Sequence, residues 1–188
     1  MTFEIGNRSA GGGRSRRSGL SLVELLVVVV AGVALILVGI GLARWSKAQS
    51  MMSTASTQLL LLSNALDHYA DENGGYPHVA DYSGLIVYVA LFGDGVGSDG
   101  RAATEDDTEL DGTPDKSATV YLKELDPMGN PLKMVEHSEQ GIPARLVDPW
   151  GNPWRYRSGS HENHNGTFDL WSVGPDGRDG TSDDVRNW

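Results

Sequence analysis

An apolar segment of membrane-spanning length begins close to the amino terminus, and it constrains the fold of this chain more than any other feature. It runs from Leu20 to Leu42, about 23 residues, which is enough to cross a bilayer with some tilt. Four arginines precede it, whereas only Arg44 and Lys47 closely follow it. The positive-inside rule therefore predicts a cytoplasmic amino terminus and places the rest of the chain on the other side of the membrane.

A carboxylate, Glu24, lies inside this apolar segment. A charge in the membrane costs from about 3 to more than about 10 kcal/mol at the bilayer centre, so such residues usually have a function and a partner. Cleavage after Gly19 would create an α-amino group on Leu20, one helical turn from Glu24. The Glu24 carboxylate of one subunit could then meet the Leu20 amine of its neighbour. We therefore expect a processing site at Gly19 and Leu20, and a polymerisation contact at Glu24.

The position of this cleavage site distinguishes residues 1–19 from a secretory signal peptide. A secretory signal is cut after its apolar region, whereas here the cut would precede the apolar region and leave it in the mature protein. The leader carries a net charge of +3 and the whole chain −10, so residues 20–188 carry −13. An acidic chain argues against a nucleic-acid partner and suits divalent cations.

The helical pattern continues beyond the membrane segment. Apolar residues recur at intervals of three and four from Met52 to Tyr69, which predicts one buried stripe on a helix. Gly74 and Gly75 should end this helix, and Pro77 prevents its resumption. We predict a single helix of roughly 50 residues, with residues 20–43 in the membrane and 44–74 as an amphipathic continuation. The alternative is two helices broken near Gly39 or Gly41.

Residues 75–188 should form a small α+β domain containing an antiparallel sheet. The apolar run 84–92 cannot be assigned to helix or strand, residues 93–116 indicate a long acidic surface loop, and no internal repeat is evident. The predicted elements are a short helix at 120–125 and strands at 132–136, 145–147, 154–157 and 168–173. Because the chain has no cysteine, its loops must be fastened by something other than disulfides.

An acidic, glycine-rich segment near the carboxyl terminus is a candidate calcium site. Calcium takes six to eight oxygen ligands from carboxylates, carbonyls and hydroxyls. Asp176, Asp183 and Asp184 could supply carboxylates, Val173 and Arg178 carbonyls, and Ser172 a hydroxyl or carbonyl, within a loop spanning 172–184. The spacing is not that of an EF-hand, which requires a glutamate where Asn187 stands. From the residues alone, a solvated acidic loop is the simpler interpretation.

Two weaker metal-binding patterns are present. Residues 93–100 and 106–115 could form a second calcium site, although a solvated loop is again simpler. His161 and His164 have a spacing that could suit zinc, but no further cluster of histidine or cysteine supports them. No phosphate-binding glycine loop or arrangement of nucleophile and base stands out, so we expect a protein that is not an enzyme.

The motifs at both ends resemble one family. Gly-Leu-Ser-Leu-Val-Glu before an apolar helix resembles the class III signal of type IV pilins and type II secretion pseudopilins. Asp-Pro-Trp-Gly-Asn-Pro-Trp, then Asp-Leu-Trp-Ser-Val-Gly-Pro-Asp-Gly and paired aspartates, resembles the G-type major pseudopilin. The resemblance covers roughly residues 14–77 and 146–188. It departs at Leu20, where the family usually has Phe, and at 84–139, which is longer and more acidic than usual.

The resemblance implies a pilin-like fold, with a long amino-terminal hydrophobic helix packed on a small antiparallel sheet, and one calcium ion in the carboxyl-terminal loop. It implies that a prepilin peptidase cuts after Gly19 and methylates Leu20. The subunit would wait in the inner membrane, with its carboxyl-terminal domain in the periplasm. It would then polymerise with itself, assisted by other pseudopilins and an inner-membrane platform, to drive folded proteins across the outer membrane.

Three alternatives remain open at this point. The chain could be a minor pseudopilin, a type IV pilus subunit, or a membrane-anchored calcium-binding protein that never polymerises. The last alternative does not explain Glu24 or the leader.

Overall fold

The long amino-terminal helix is present in the computed structural model, which describes residues 21–78, 83–138, 142–159, 164 and 166–188. Two compact units, Met1–Trp45 and Ser46–Trp188, divide the chain. Helix α1 runs from Leu22 to Asn73 and continues through Gly39 and Gly41, so the alternative of two helices is wrong. Its part in the first unit exposes its large apolar side chains. Among the described residues, α1 alone is long and apolar enough to cross a membrane.

In the second unit, the predicted apolar stripe of α1 is buried from Ala55 to Tyr69, whereas Met52 at its start is half-buried. Ala55, Leu62 and Leu66 are fully buried, and Leu59 and Tyr69 nearly so. The helix ends at Asn73, because Gly74 takes a left-handed backbone conformation with φ of 76°. The stripe therefore forms one wall of the core, as the periodicity predicts.

A second helix, α2, spans Leu85–Phe92 and resolves the ambiguous apolar run. Its last six residues are all buried, so no polar face reveals a helical period in the sequence. Gly84 precedes α2 at a close approach, where an added Cβ would lie 2.2 Å from the carbonyl oxygen of Trp154. The predicted helix at 120–125 is only a 3-10 turn, Lys123–Leu125.

Within the residues that the structure describes, five short strands form two antiparallel sheets rather than the single sheet expected. Strands β1 (Val135–His137) and β2 (Pro143–Leu146) pair with each other, and β3 (Arg155–Ser158), β4 (Phe168–Ser172) and β5 (Val185–Arg186) lie in that order in the second sheet. The four predicted strands are present with shifted ends. The first begins at Val135 instead of Leu132, since Lys133 has a φ of 53° that an extended strand cannot accommodate. The α+β class is confirmed.

Three buried aspartates, Asp94, Asp148 and Asp169, fasten the loops of the second unit. Asp94 accepts hydrogen bonds from the Tyr88 hydroxyl at 2.7 Å and from the backbone N–H groups of Asp111 and Gly112 at 3.0 and 2.9 Å. These bonds tie the acidic segment 93–116 to α2. This segment has no regular helix or strand, as predicted, but it is anchored to the core.

The other two aspartates hold the segments around β3 and β4. Asp148 accepts hydrogen bonds from the backbone N–H groups of Trp150 and Asn152 at 2.9 and 2.8 Å, and from the Ser172 hydroxyl at 2.5 Å. Asp169 pairs across the strands with the Arg157 guanidinium. The backbone N–H of His164 also lies 2.9 Å from Asp169.

Replacing Asp94 with alanine should destabilise the second unit by about 3 kcal/mol, because a buried donor that loses its acceptor costs about 1–3 kcal/mol and Asp94 serves three donors. Urea unfolding of a fragment comprising residues 46–188 measures this change. Asp71, an exposed aspartate on α1, provides the matched control. Equal stability of the Asp94→Ala and Asp71→Ala fragments would contradict the proposed role of Asp94.

Acid should weaken the fold through Asp169. Burial alone would raise its pKa, but the hydrogen bonds from Arg157 and His164 outweigh burial and lower the pKa below its ordinary value. A lowered pKa in the folded state gives stability above the unfolded pKa, about 3.9, and this stability is lost as pH falls through the folded pKa. The stability difference between wild type and Asp169→Asn should therefore shrink below about pH 4. Urea titrations from pH 7 to pH 2 test this, and a pH-independent difference would refute it.

Candidate functional site

The carboxyl-terminal acidic loop, residues 174–184, connects β4 to β5. It begins at Gly174, whose φ is 67° and where an added Cβ would lie 2.3 Å from the carbonyl oxygen of Asp183. Only glycine accommodates both this backbone conformation and this contact. Gly174 therefore allows the two ends of the loop, at residues 174 and 183, to lie against each other.

Four oxygen atoms of predicted ligand residues surround one hydroxyl inside this loop. The Thr181 Oγ1 lies 3.4 Å from Asp176 Oδ1, 2.6 Å from Asp183 Oδ1 and 3.1 Å from Asp184 Oδ1. The carbonyl oxygen of Arg178 is 3.3 Å from the same atom. A hydroxyl has one proton to donate, so it cannot satisfy four acceptors at once. We call this group, completed by Thr181, the C-terminal oxygen cluster.

Asp183 and Asp184 each use their second carboxylate oxygen to accept hydrogen bonds from the loop backbone. Asp183 Oδ2 accepts a hydrogen bond from the N–H of Asp176 at 3.2 Å. Asp184 Oδ2 accepts from the N–H of Gly180 at 2.9 Å and from the guanidinium of Arg186 at 2.7 Å. The pKa of Asp183 is lowered, chiefly by the Thr181 hydroxyl. One oxygen of each of the three carboxylates is thus turned inward, toward the Thr181 hydroxyl.

The remaining predicted ligands, Ser172 and Val173, immediately precede Gly174 in the chain. Ser172 is buried, and its hydroxyl donates to Asp148 and accepts from the N–H of Gly174 at 3.0 Å. Ser172 could offer a cation its hydroxyl or its carbonyl oxygen, and the hydroxyl is already engaged by Asp148 and Gly174. Val173 is buried immediately before Gly174. Within the described ranges, no three acidic or histidine side chains form a ready-made metal centre, so an ion would have to draw these carboxylates closer together.

The same loop occurs twice in this chain, so the expectation of no internal repeat is wrong. The pattern Gly-x-Asp-Gly-Arg-x-x-Thr-x-Asp-Asp fits residues 97–107 and residues 174–184, with seven of eleven positions identical. The shared residues of the first copy are Gly97, Asp99, Gly100, Arg101, Thr104, Asp106 and Asp107. The signal lay in the spacing of glycine, threonine and aspartate together, and not in the acidic residues alone.

The first copy reproduces the geometry of the second. Thr104 Oγ1 lies 3.5 Å from Asp99 Oδ1, 3.4 Å from the Arg101 carbonyl, 2.8 Å from Asp106 Oδ1 and 3.1 Å from Asp107 Oδ1. Gly97 has a φ of 66°. The pKa of Asp106 is lowered, mainly by hydrogen bonds from the Ser98 and Thr104 hydroxyls. We call this group the first oxygen cluster.

The two clusters are anchored to different parts of the second unit. In the first loop, the Arg101 guanidinium donates to the carbonyl of Asn73 at the end of α1, and the N–H of Ala102 donates to the Tyr69 hydroxyl at 3.2 Å. In the second loop, Asp179 accepts from Arg155 on β3 at 2.5 Å. An event in the first loop would therefore act on α1, and one in the second on the β3-β4-β5 sheet.

Of the predicted processing and assembly residues, Glu24 lies in the described part of the chain, at the start of α1. Gly19 and Leu20 lie outside the described residues. Glu24 is exposed in the first turn and hydrogen bonds with Ser21.

The zinc alternative gains no support from the two histidines. His161 lies outside the described residues, whereas His164 Nδ1 is 2.9 Å from Asp169 and its ring stacks on Trp188.

Comparison with known proteins finds one family. The family model described as "Type II secretion system (T2SS), protein G" matches residues 130–188, which include the second loop copy but not the first. The chain is 30% identical over 176 residues to type II secretion system core protein G of Aeromonas hydrophila, covering 93% of this chain and 94% of the relative. It is 27% identical over 178 residues to the protein of that name from Pseudomonas aeruginosa, covering 93% and 97%.

A solved structure, the major pseudopilin from the type 2 secretion system of enterohaemorrhagic Escherichia coli, is also similar. It is 19% identical, with a TM-score of 0.40, and the match covers 77% of this chain and 92% of that one. The relatives of the same name are matched over nearly their whole length. The chain therefore belongs to the type II secretion system core protein G family.

Proposed function

We propose that this chain is the major structural subunit of a type II secretion pseudopilus, a filament that polymerises in the periplasm and drives the export of folded proteins. Family membership over nearly the whole chain carries this proposal. The exposed apolar side chains of α1 from Leu22 to Leu42 support it, because such a surface needs lipid or other helices around it. Head-to-tail contacts that do not close on themselves generate a filament. The role is structural and involves no catalysis.

The proposed topology places the amino terminus in the cytoplasm, α1 in the inner membrane and the second unit in the periplasm. The arginine-rich leader supports this orientation, as does α1, which alone among the described residues is long and apolar enough to cross a membrane. A prepilin peptidase would cut after Gly19 and methylate Leu20. Other pseudopilins and the inner-membrane secretion platform would be the partners during assembly.

The proposed assembly contact joins Glu24 of one subunit to the Leu20 amine of its neighbour. Glu24→Leu should leave membrane insertion and cleavage intact, since leucine is more favourable than glutamate in lipid. It should reduce filament formation more than about tenfold, because an uncompensated buried charge costs about 3–5 kcal/mol. Crosslinked subunit ladders and secretion assays measure this loss.

Val23→Leu is the matched control, a substitution in the same helical turn that changes no charge. A Glu24→Leu subunit that forms ladders and secretes as well as the Val23→Leu subunit would favour the alternative of a simple membrane anchor.

We also propose that the carboxyl-terminal loop binds one Ca²⁺ ion. Asp176, Asp183 and Asp184 would supply carboxylates, and Val173 and Arg178 carbonyls. Ser172, a weaker ligand, would use its carbonyl, since its hydroxyl serves Asp148. The inward-facing oxygens of the C-terminal oxygen cluster support this proposal, because calcium prefers oxygen ligands in flexible geometry. The ion would neutralise the repulsion among these carboxylates and hold the loop without a disulfide.

The repeat favours extending the calcium proposal to the first oxygen cluster. The three carboxylates, the arginine carbonyl and the threonine hydroxyl recur there, at distances within about 0.2 Å of those in the second copy. If these groups bind calcium in one copy, the same chemistry operates in the other. A fragment comprising residues 46–188 should then bind two ions.

Calcium titration and thermal melts of that fragment test both sites. Wild type should bind two ions, and Asp184→Asn and Asp107→Asn one each. Calcium should stabilise the wild type by about 2.7 kcal/mol per site at one hundred times Kd, and chelator should remove this gain. Asp179→Asn is the matched control, because Asp179 lies in the same loop but pairs with Arg155. Equal melting temperatures with calcium and chelator, or equal losses in Asp179→Asn and Asp184→Asn, would refute the calcium proposal.

A further inference from the structure

Two reciprocal hydrogen bonds link Ser21 and Glu24 at the first turn of α1. The backbone N–H of Ser21 donates to Glu24 Oε2 at 3.1 Å, and the backbone N–H of Glu24 donates to Ser21 Oγ at 3.2 Å. This arrangement is a capping box, in which each side chain satisfies the backbone of the other residue. It belongs to the helix itself and requires no second subunit.

The capping box lowers two free-energy costs that this segment would have in a membrane. The first N–H groups of any helix have no partner within the helix, and an unsatisfied N–H in hydrocarbon is costly. A glutamate in an apolar segment likewise needs a partner. In the free subunit, the pair gives an acceptor to the N–H groups of Ser21 and Glu24, and it gives the Glu24 carboxylate a hydrogen-bond donor. Glu24 uses only Oε2 for this purpose, and within the described part of the chain no residue hydrogen bonds to Oε1.

We propose that Ser21 is a positioning residue for Glu24. Its hydroxyl and N–H hold the glutamate at the helix start, with Oε2 engaged and Oε1 left to accept a hydrogen bond from the amine of a neighbouring subunit. This role rests on the proposed assembly contact of Glu24. Without Ser21, the long glutamate side chain would recover rotamer freedom and reach toward the membrane surface, so fewer subunits would present it correctly.

The chemistry at position 21 predicts which substitutions are tolerated. Threonine keeps a hydroxyl that can accept the Glu24 N–H, whereas alanine removes it. At position 24, glutamine keeps both the backbone N–H and an oxygen that can reach Ser21, but it loses the charge that the amine requires. These variants separate the capping pair from the assembly contact.

The test uses the full mature subunit in detergent micelles, with intact mass confirming the same amino terminus in every variant. Backbone exchange of the residue 24 amide is measured by NMR in the unassembled state, and filament formation by crosslinked ladders. Ser21→Ala should raise the exchange rate about fivefold, as loss of a typical cap predicts, and should slow filament formation. Ser21→Thr should change neither. Glu24→Gln should keep the wild-type exchange rate and fail to assemble.

Each outcome decides one part of the proposal. Unchanged exchange in Ser21→Ala would show that the capping pair does not exist. Faster exchange with a wild-type rate of assembly would show that the pair has no positioning role. Normal assembly of Glu24→Gln would refute the charge contact under the proposed function, while the exchange data would still decide the capping pair independently.

Discussion

Hydrogen bonds from backbone N–H groups and hydroxyls to buried aspartates hold the second unit together in a chain without cysteine. Asp94, Asp148 and Asp169 each collect several donors from separate segments, which offsets the cost of burying a carboxylate. Asn152, which Asp148 holds, also donates to the carbonyl of Gly174 at 2.7 Å. The geometry of the C-terminal oxygen cluster therefore depends on a carboxylate outside that cluster.

Aspartate thus has two opposite roles in this fold. The buried aspartates are satisfied by donors that surround them, so they rigidify the loops. The aspartates of the two oxygen clusters face one another across a single threonine hydroxyl, so their inward oxygens are under-supplied with donors. Under the calcium proposal, the rigid anchors beside each cluster would limit the entropy lost when an ion orders the loop.

How far the fold could be predicted from sequence depends on whether a segment has a polar face. Helix α1 was predictable because its stripe from Ala55 to Tyr69 alternates with polar positions. Helix α2 was not, because it is buried on nearly all sides. Strand β5 has only two residues, too few for any periodic signal. The predicted helix at 120–125 does not form at Tyr121, because the backbone N–H of Tyr121 donates to the carbonyl of Leu91 instead of to a helical partner.

The candidate site was predictable in its residue types and only partly in its architecture. Charge density drew attention to Asp176, Asp183 and Asp184, but the hydroxyl on which they converge belongs to Thr181, a residue that composition does not distinguish. The repeat is not apparent from charge, because by charge alone residues 93–116 resemble a solvated acidic loop. Its glycines permit the turn, its threonine sets the centre, and its aspartates lie at fixed intervals. Spacing therefore determines the geometry of both clusters, and charge density alone does not.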